Sequence, residues 1–505
     1  MEINLANTDI ISILNDLDKE KILYLCERAE EMRDLEKDGK RWLLNNTFTG
    51  ENQKVLAYMF YEPSTRTRFR FDTAMRELGG KRDGFTGTEG TSMTKKETIR
   101  DTVKMMEANH FDAIVMRHPK AGALQWAADV ADIPVINAGD GKNEHPTQAL
   151  LDLFTIYINN NKSLDGLRIG LGGDLSHGRT IRSLVFALSH FDDVTIRWAA
   201  EDYLGLPEGI HEVAERRGVK IIRERSVEDV INDCEYYYMT RPQFEKMGGE
   251  ISESEIAGLL KRYRITLEKI RKSKARLMHP LPVNGEVAEI EFPVFFTKNQ
   301  LFYQQAENGI FLSKALLFEI LSDETYRIFR DRLPESLLVG NNRLERAIKN
   351  REKESLAIDV IQNGVVLDHL SYGTLDRIRS ELALNEYSVF GGEIINDEKK
   401  AILKIKEGEL SERDYKKIAM ISPEPTINII RENKVKEKFV YLLCENENCI
   451  TREIMEDVPP KFYNDDGVVR CRYCGQRYNI KSRKVSDEEK EIFVKSLPEK
   501  VEKLS

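Results

Sequence analysis

The sequence predicts two parallel-sheet α/β domains, followed by a small α+β domain and a module built around cysteines. Three observations carry this. Through the first two-thirds of the 505 residues, short apolar runs alternate with amphipathic helical patterns, the signature of α/β units with parallel sheets. That part spans about 300 residues, more than one core comfortably serves, so it divides in two. After a polar, charge-rich stretch at 333–355 the pattern changes, and four of the six cysteines crowd the residues beyond 443.

Strands are expected at 54–60 (KVLAYMF), 112–117, 133–137, 167–171, 194–198, 234–240 and 275–278. Helices lie between them. In one, Phe71, Ala74, Met75 and Leu78 follow the i, i+3, i+4, i+7 rule until Gly79 and Gly80 stop it. A long helix over roughly 305–332 closes this part. Runs 356–361, 364–368 and 401–405 suggest the strands of the small domain. The expected division is 1–145, completed by the returning helix, then 146–304, a linker at 333–355, 356–435, 436–485 and a charged tail at 486–505. No period of 20–50 residues repeats, which excludes solenoids and propellers.

Composition narrows the function. Hydrophobic residues make up 41%, enough for several cores. The 76 basic residues are outnumbered by 85 acidic ones, for a net charge of -9, so nucleic acid is not an expected partner. No apolar run approaches ~18 residues, so no membrane span is expected. The acidic N-terminal stretch lacks a basic-then-apolar leader, which points to the cytoplasm. In a reducing compartment, clustered cysteines argue for metal before disulfides. Cys444-x4-Cys449 and Cys471-x2-Cys474, with 21 residues between the pairs, form a four-thiolate zinc spacing, and four sulfurs leave no open position, so the metal is structural. A zinc ribbon on nucleic acid is the alternative. Arg470, Arg472 and Arg477 would permit it, while Glu445, Glu447, Asp465 and Asp466 oppose it.

The chemistry concentrates at strand ends, where open α/β sheets gather ligands. Residues 63–68 read Pro-Ser-Thr-Arg-Thr-Arg between a strand and a helix. Hydroxyls, guanidiniums and free backbone N–H groups at a helix start suit an oxyanion. Arg117-His118-Pro119 follows another strand, and His145-Pro146-Thr147-Gln148 opens another helix, with Pro146 at a first helical position. Two nucleotide motifs fail on spacing. In Gly170-Leu171-Gly172-Gly173, Leu175 stands where a dinucleotide loop has its third glycine, and Gly141-Lys142 is followed by Asn143 instead of Ser or Thr.

The segments FYEPSTRTRFRFDTAM, DAIVMRHP, NAGDGKNEHPTQALLDLFTI, GDLSHGRT, MTRPQ and MHPLP occur in an order that resembles the aspartate carbamoyltransferase family. The resemblance implies the carbamoyltransferase fold: a carbamoyl-phosphate domain (1–145), an aspartate domain (146–304), and the active site between them. It implies that Ser64, Thr65, Arg66 and Thr67 hold carbamoyl phosphate, while Arg117, His145 and Gln148 address the carbamoyl group. Arg68 falls past the ligand and is expected to be structural. The implied reaction makes N-carbamoyl-L-aspartate and phosphate, on the route to UMP. Arg66, Thr67, Arg117 and His145 are the expected catalytic residues; no active-site cofactor is implied, and no protein base is evident. In loop 86–98, Ser92 and Lys95 match residues that the family places in the neighbouring subunit's site, so a homotrimer or higher homo-oligomer is implied. The family's lysine-glycine-glutamate reads Lys95-Lys96-Glu97 here, leaving Lys96 as the alternative.

Ornithine carbamoyltransferase shares the STRTR and HPTQ elements, and charge separates the two. Aspartate brings two carboxylates and wants arginines; ornithine brings an ammonium and wants an acid. Arg179, Arg241 and Gln243 match the aspartate family's substrate positions, as do Leu281 and Pro282, and HPLP carries no cysteine where ornithine enzymes have HCLP. Ser176 stands where enzymes with separate regulatory chains carry a lysine. A third reading, a zinc-ribbon regulator whose α/β part only binds a metabolite, predicts lost arginines, and all are present.

Residues 356–480 resemble the regulatory chain of the same family, which is a separate polypeptide there. The resemblance implies an allosteric domain for nucleotide effectors (ATP, CTP or UTP) at Asp359, Ile361, Asp368, His369, Lys404, Asn428 and Lys438, with the two lysines on phosphates. It also implies one structural zinc on Cys444, Cys449, Cys471 and Cys474.

Overall fold

The computed structural model of the protein describes residues 3–45, 47–242, 253–283, 289–322, 343–345, 363–382, 389–394, 400–406, 410–432, 434–456, 458–480 and 490. The chain forms two compact units, Met1–Ile328 and Phe329–Ser505.

The first unit opens with helix α1 (Lys19–Lys37), whose N-cap Asp18 accepts the Lys21 N–H. It continues through β1 (Val55–Phe60), α2 (Thr65–Glu77), β2 (Lys81–Thr86), α3 (Ile99–Ala108), β3 (Ala113–His118), α4 (Ala123–Val130) and β4 (Val135–Asp140). These strands form a parallel sheet in the order β2-β1-β3-β4. A second run follows, with α5 (Pro146–Asn159), β5 (Arg168–Gly172), α6 (Arg179–Leu188), β6 (Thr195–Ala199), α7 (Glu208–Arg216) and β7 (Lys220–Arg223). After these come α8 (Val227–Asn232), β8 (Tyr236–Met239), α9 (Glu253–Tyr263), α10 (Leu267–Arg271) and β9 (Arg276–Met278). Its parallel sheet has the order β7-β6-β5-β8-β9. Both sheets are covered on two faces, so the inner strand β1 is almost wholly buried, as is the edge strand β4, on which Ile10 forms a bridge to Ile136.

Helix α11 (Phe302–Leu321) returns to pack on α1, α2 and α5. The helix expected over 305–332 therefore starts earlier. Its described turns end where the Ser322 N–H and hydroxyl both bond the Phe318 carbonyl, at 2.9 and 2.5 Å; residues 323–332 lie outside the described residues.

The second unit holds β10 (Arg343–Glu345), β11 (Gly364–Ser371), β12 (Val389–Ile394), β13 (Lys400–Lys406), β14 (Thr426–Arg431) and β15 (Lys434–Tyr441). They form an antiparallel sheet in the order β10-β15-β14-β11-β13-β12. Period-2 alternation turns Val365, Leu367, Leu403, Ile405, Ile427, Phe439 and Tyr441 into one core with Ile378, Tyr415 and Ile418 of helices Leu375–Glu381 and Glu412–Ile421. β10 corrects the expectation of a plain linker at 333–355: Arg343–Glu345 pair with Phe439–Tyr441 at the sheet edge, a strand too short to stand out in a charge-rich run. A hairpin of β16 (Phe462–Asp465) and β17 (Val468–Cys471) completes the cysteine module. Buried Lys416 ties that module to the sheet domain, donating to the Glu453 and Glu456 carbonyls at 3.2 and 3.0 Å. Among the described residues no helix is long and apolar enough to cross a membrane.

Candidate functional site

The site is built where the C-terminal ends of both parallel sheets meet helix N-termini. Ser64 is the N-cap of α2, yet its side chain makes no capping hydrogen bond, and the first turn carries no acid. Thr65, Arg66 and Thr67 thus stand at a helix start with backbone N–H groups to spare. Arg66 donates to the Leu281 carbonyl at 2.8 Å, which joins this segment to the His279–Pro282 loop beyond β9. Partial desolvation lowers the Arg66 pKa without threatening its charge.

Arg117 lies near the end of β3 and Arg179 at the first position of α6. Both converge on Glu62, just after β1. Arg117 bonds the Glu62 carboxylate at 2.6 Å, and Arg179 at 3.1 and 3.3 Å. Burial works against the charge on Glu62, but Arg179 and then Arg117 outweigh it and hold the carboxyl below its ordinary range. Burial, reinforced by Arg179, brings Arg117 down to about 10, still fully cationic near neutrality. Gly139 makes this packing possible: with φ +114, a Cβ there would sit 3.0 Å from Arg179 Nε and 3.4 Å from an Arg117 nitrogen.

His145 is the N-cap residue of α5, and its backbone N–H bonds Ser183 at 2.7 Å. Burial, followed by Arg70, Arg117 and Arg179, holds its pKa well below the ordinary value, so the imidazole is neutral at pH 7. Its Nδ1 lies 3.3 Å from the Thr147 hydroxyl, which accepts from Arg70 at 3.1 Å. Gln148, one turn in, donates to Asp152 at 3.0 Å. Asp152 is a buried hub that also accepts from Tyr238 at 2.7 Å and Gln305 at 2.5 Å. Gln305 in turn accepts the His279 N–H at 3.0 Å. One carboxylate therefore links Gln148 to the base of the Leu281–Pro282 loop. Burial pushes it up to about 7, against the donors around it.

Arg241 follows β8, where Thr240 bonds the Gly172 and Asp174 carbonyls at 3.1 and 3.0 Å; this staples the Arg241 strand end to the loop leading into Arg179. Gln243 lies outside the described residues. Ser92 and Lys95 occupy an exposed turn of 3-10 helix, Ser92–Lys95, and neither has a side-chain bond to the arginine cluster. Lys96 closes that turn at φ +67, in the left-handed region. The sequence reading attached no role to Glu62, Arg70, Thr147 or Asp152. Glu62 lies two residues before Ser64, and Thr147 sits inside the His145–Gln148 motif; Arg70 and Asp152 are brought in only by tertiary packing.

In the second unit, Lys404, Val366, Asn428 and Lys438 are direct cross-strand partners on β13, β11, β14 and β15. They therefore share the sheet face opposite the core, as does Asp368 two residues along β11. The Asn428 amide bonds the Val366 carbonyl at 3.1 Å. Asp368 lies 3.0 Å from His369 and 3.4 Å from Lys400. Against the cost of burial, the hydrogen bond to His369 foremost, with Lys400 behind it, holds its carboxyl down at about 2. Asp359 and Ile361 lie outside the described residues.

Cys444, Cys449, Cys471 and Cys474 are all buried, with sulfurs within 4.8 Å of one another. Cys444–Cys474 and Cys449–Cys471 are 3.6 and 3.8 Å apart. A tetrahedral ion with metal–sulfur bonds of about 2.3 Å requires sulfurs about 3.8 Å apart, so the four thiols fit a closed metal site.

Comparison with known proteins agrees with this architecture. The model of the aspartate/ornithine carbamoyltransferase carbamoyl-P binding domain matches residues 9–158, and that of the Asp/Orn binding domain matches 165–320. The aspartate carbamoyltransferase regulatory chain follows, its allosteric domain matching 356–441 and its metal binding domain 435–483. The aspartate carbamoyltransferase catalytic subunit of Methanospirillum hungatei JF-1 is 40% identical over 314 residues, covering 62% of this chain and 99% of that protein. The catalytic subunit of M. jannaschii aspartate transcarbamoylase superposes with a TM-score of 0.57 at 36% identity, over 63% of this chain and 98% of its own. The Trypanosoma cruzi aspartate transcarbamoylase, solved with carbamoyl phosphate and aspartate, gives 0.54 at 30% identity over 63% and 97%. The chain belongs to the aspartate carbamoyltransferase family and joins that family's catalytic and regulatory chains in one polypeptide.

Proposed function

We propose that the reaction of this aspartate carbamoyltransferase runs at the junction of α2, β3, α5 and α6. The observation that carries the reading is the Glu62 carboxylate: guanidiniums from β3 and α6 converge on one anion beside the open start of α2. Ser64, Thr65, Arg66 and Thr67 would take the phosphate of carbamoyl phosphate. Arg117, His145 and Gln148 would take the carbamoyl group, with Ser92 and Lys95 entering from a neighbouring subunit and Lys95 adding positive charge beside the phosphate. Arg179, Arg241, Gln243, Leu281 and Pro282 would hold aspartate. The aspartate amine attacks the carbonyl carbon, a C–N bond forms, and the C–O bond to phosphate breaks as the amine proton leaves with the phosphate. Arg66, Thr67, Arg117 and neutral His145 stabilise the oxyanion between these steps, an effect of ~3–4 kcal/mol for one donor.

The Lys404–Asn428–Lys438 row, with Asp368, His369, Asp359 and Ile361, would form the site for ATP, CTP or UTP. Its support is the shared polar face of the sheet. The four cysteines would hold one zinc, which when bound supplies folding energy rather than chemistry. The assembly would be built on homotrimers in the cytoplasm, and the domain limits would be those expected from the sequence apart from the strand Arg343–Glu345 within 333–355. A ureido assay with carbamoyl phosphate and either aspartate or ornithine tests the main reading: product with aspartate alone is expected, and product with ornithine alone or with neither overturns it. Nucleotide titration of the aspartate saturation curve tests the second site.

A further inference from the structure

Of the arginines of α2, Arg66, Arg68 and Arg76 are exposed, and Arg70 alone is buried. It reaches Thr147 at the start of α5, donating to the hydroxyl at 3.1 Å. Space for it comes from Gly309 of α11, where a Cβ would lie 2.6 Å from Arg70 Cδ. Thr147 is itself 1% exposed, so its hydroxyl proton has no water to turn to. Arginine has no acceptor, so the hydroxyl oxygen receives from Arg70 and its proton must find another partner. The remaining bonded atom is His145 Nδ1, 3.3 Å away. Were Nδ1 protonated instead, two donors would face one oxygen and the hydroxyl proton would be buried unpaired, at a cost of ~1–3 kcal/mol.

We propose that Arg70 is a positioning residue that, through the Thr147 hydroxyl, fixes His145 as its Nε2–H tautomer and so presents a donor to the carbonyl oxygen of the carbamoyl group. The inference rests on the reading of His145 as a carbamoyl contact. A neutral imidazole has one N–H, and only its position decides whether the ring can stabilise an oxyanion. The charge on Arg70 serves the same end, because a buried cation beside the ring disfavours a second proton on it.

The test uses the full-length protein labelled with 15N at its eight histidines, with the His145 signals identified by their loss in His145→Gln. In the unmodified protein Nδ1 is expected at a pyridine-type shift and Nε2 at a pyrrole-type shift; the reverse pattern overturns the proposal without any variant. Thr147→Val, nearly isosteric, and Arg70→Met should convert this fixed pattern to a mixture. Turnover should fall about ten-fold while KM for carbamoyl phosphate moves less than about two-fold. Arg70→Lys, which keeps a donor, should restore the pattern. An unchanged tautomer in folded Thr147→Val overturns the proposal even if Arg70→Met does not fold. Full turnover in His145→Gln would remove the site reading instead and leave the tautomer result standing.

Discussion

Arg66 offers the least disruptive check on oxyanion stabilisation, because its side chain is exposed and its single described bond is to the Leu281 carbonyl. Arg66→Ala should lower turnover by about 10²–10³ while stability moves by about 0.5 kcal/mol or less. Steady-state kinetics beside a thermal melt separate the two; normal turnover with weaker carbamoyl-phosphate binding would make Arg66 a ground-state anchor. Asp152 answers to pH. Its folded carboxyl keeps its proton up to about 7, whereas the unfolded one loses it in the ordinary carboxylate range. Stability from this site is thus full in acid, declines as pH rises through that window, and levels off above about pH 7. Melting temperatures from pH 4 to 8 should decline less steeply for Asp152→Asn than for the unmodified chain. Glu144, also pushed to about 7 by burial, leaves a residual slope of the same sign. Such residues were hard to read from sequence. Arg66, Arg117 and His145 sit beside strand ends and helix starts and announce themselves; Arg70 and Asp152 lie in ordinary amphipathic helices and gain roles from packing alone.

At the scale of elements, the inner strands of both parallel sheets were legible because burial on two faces demands continuous apolar runs. The edge strands β2 and β7 were not: KRDGFT and KIIR leave half or more of their residues exposed or charged, as strands with one free side do. The loop after β2 shows a similar hidden constraint. Lys96 adopts φ +67 where the resembling family has glycine, a conformation costing a side chain ~1–2 kcal/mol. Lys96→Gly should therefore preserve turnover and raise stability by up to ~1 kcal/mol, after the entropy of a freer unfolded chain is subtracted. Lys95→Ala should abolish turnover with little change in the melt. Reversal of that pattern would transfer the functional role to Lys96. The cysteine module was legible from spacing alone, since metal geometry restricts loop lengths. Cys471→Ser should strip the metal, speed amide exchange across residues 436–480, and leave turnover per active site intact. Metal analysis that finds no zinc in the unmodified protein would overturn the assignment.

At the scale of the whole molecule, the turn that carries Ser92 and Lys95 stands apart from the arginine cluster. Arg66, Arg117, His145 and Arg179 are drawn together, but Ser92 and Lys95 stand on an exposed turn with no side-chain bond to them. If that turn serves a neighbour in a cyclic trimer, each site takes its loop from one chain and its STRTR segment from the next. Chains carrying Lys95→Ala and chains carrying Arg66→Ala are then each inactive alone, for different reasons. Mixed at equal ratio and reassembled at random, a site works only when its STRTR segment comes from a Lys95→Ala chain and its loop from an Arg66→Ala chain. Each condition holds half the time, so about a quarter of the sites should be intact and about a quarter of the unmodified activity should return. A loop serving its own chain can give no recovery, because every site then keeps one defect. The measurement is turnover after dissociation and reassembly, with native mass spectrometry confirming that mixed trimers formed. Activity near a quarter supports a shared site, and confirmed hybrids without activity restrict the loop to its own chain.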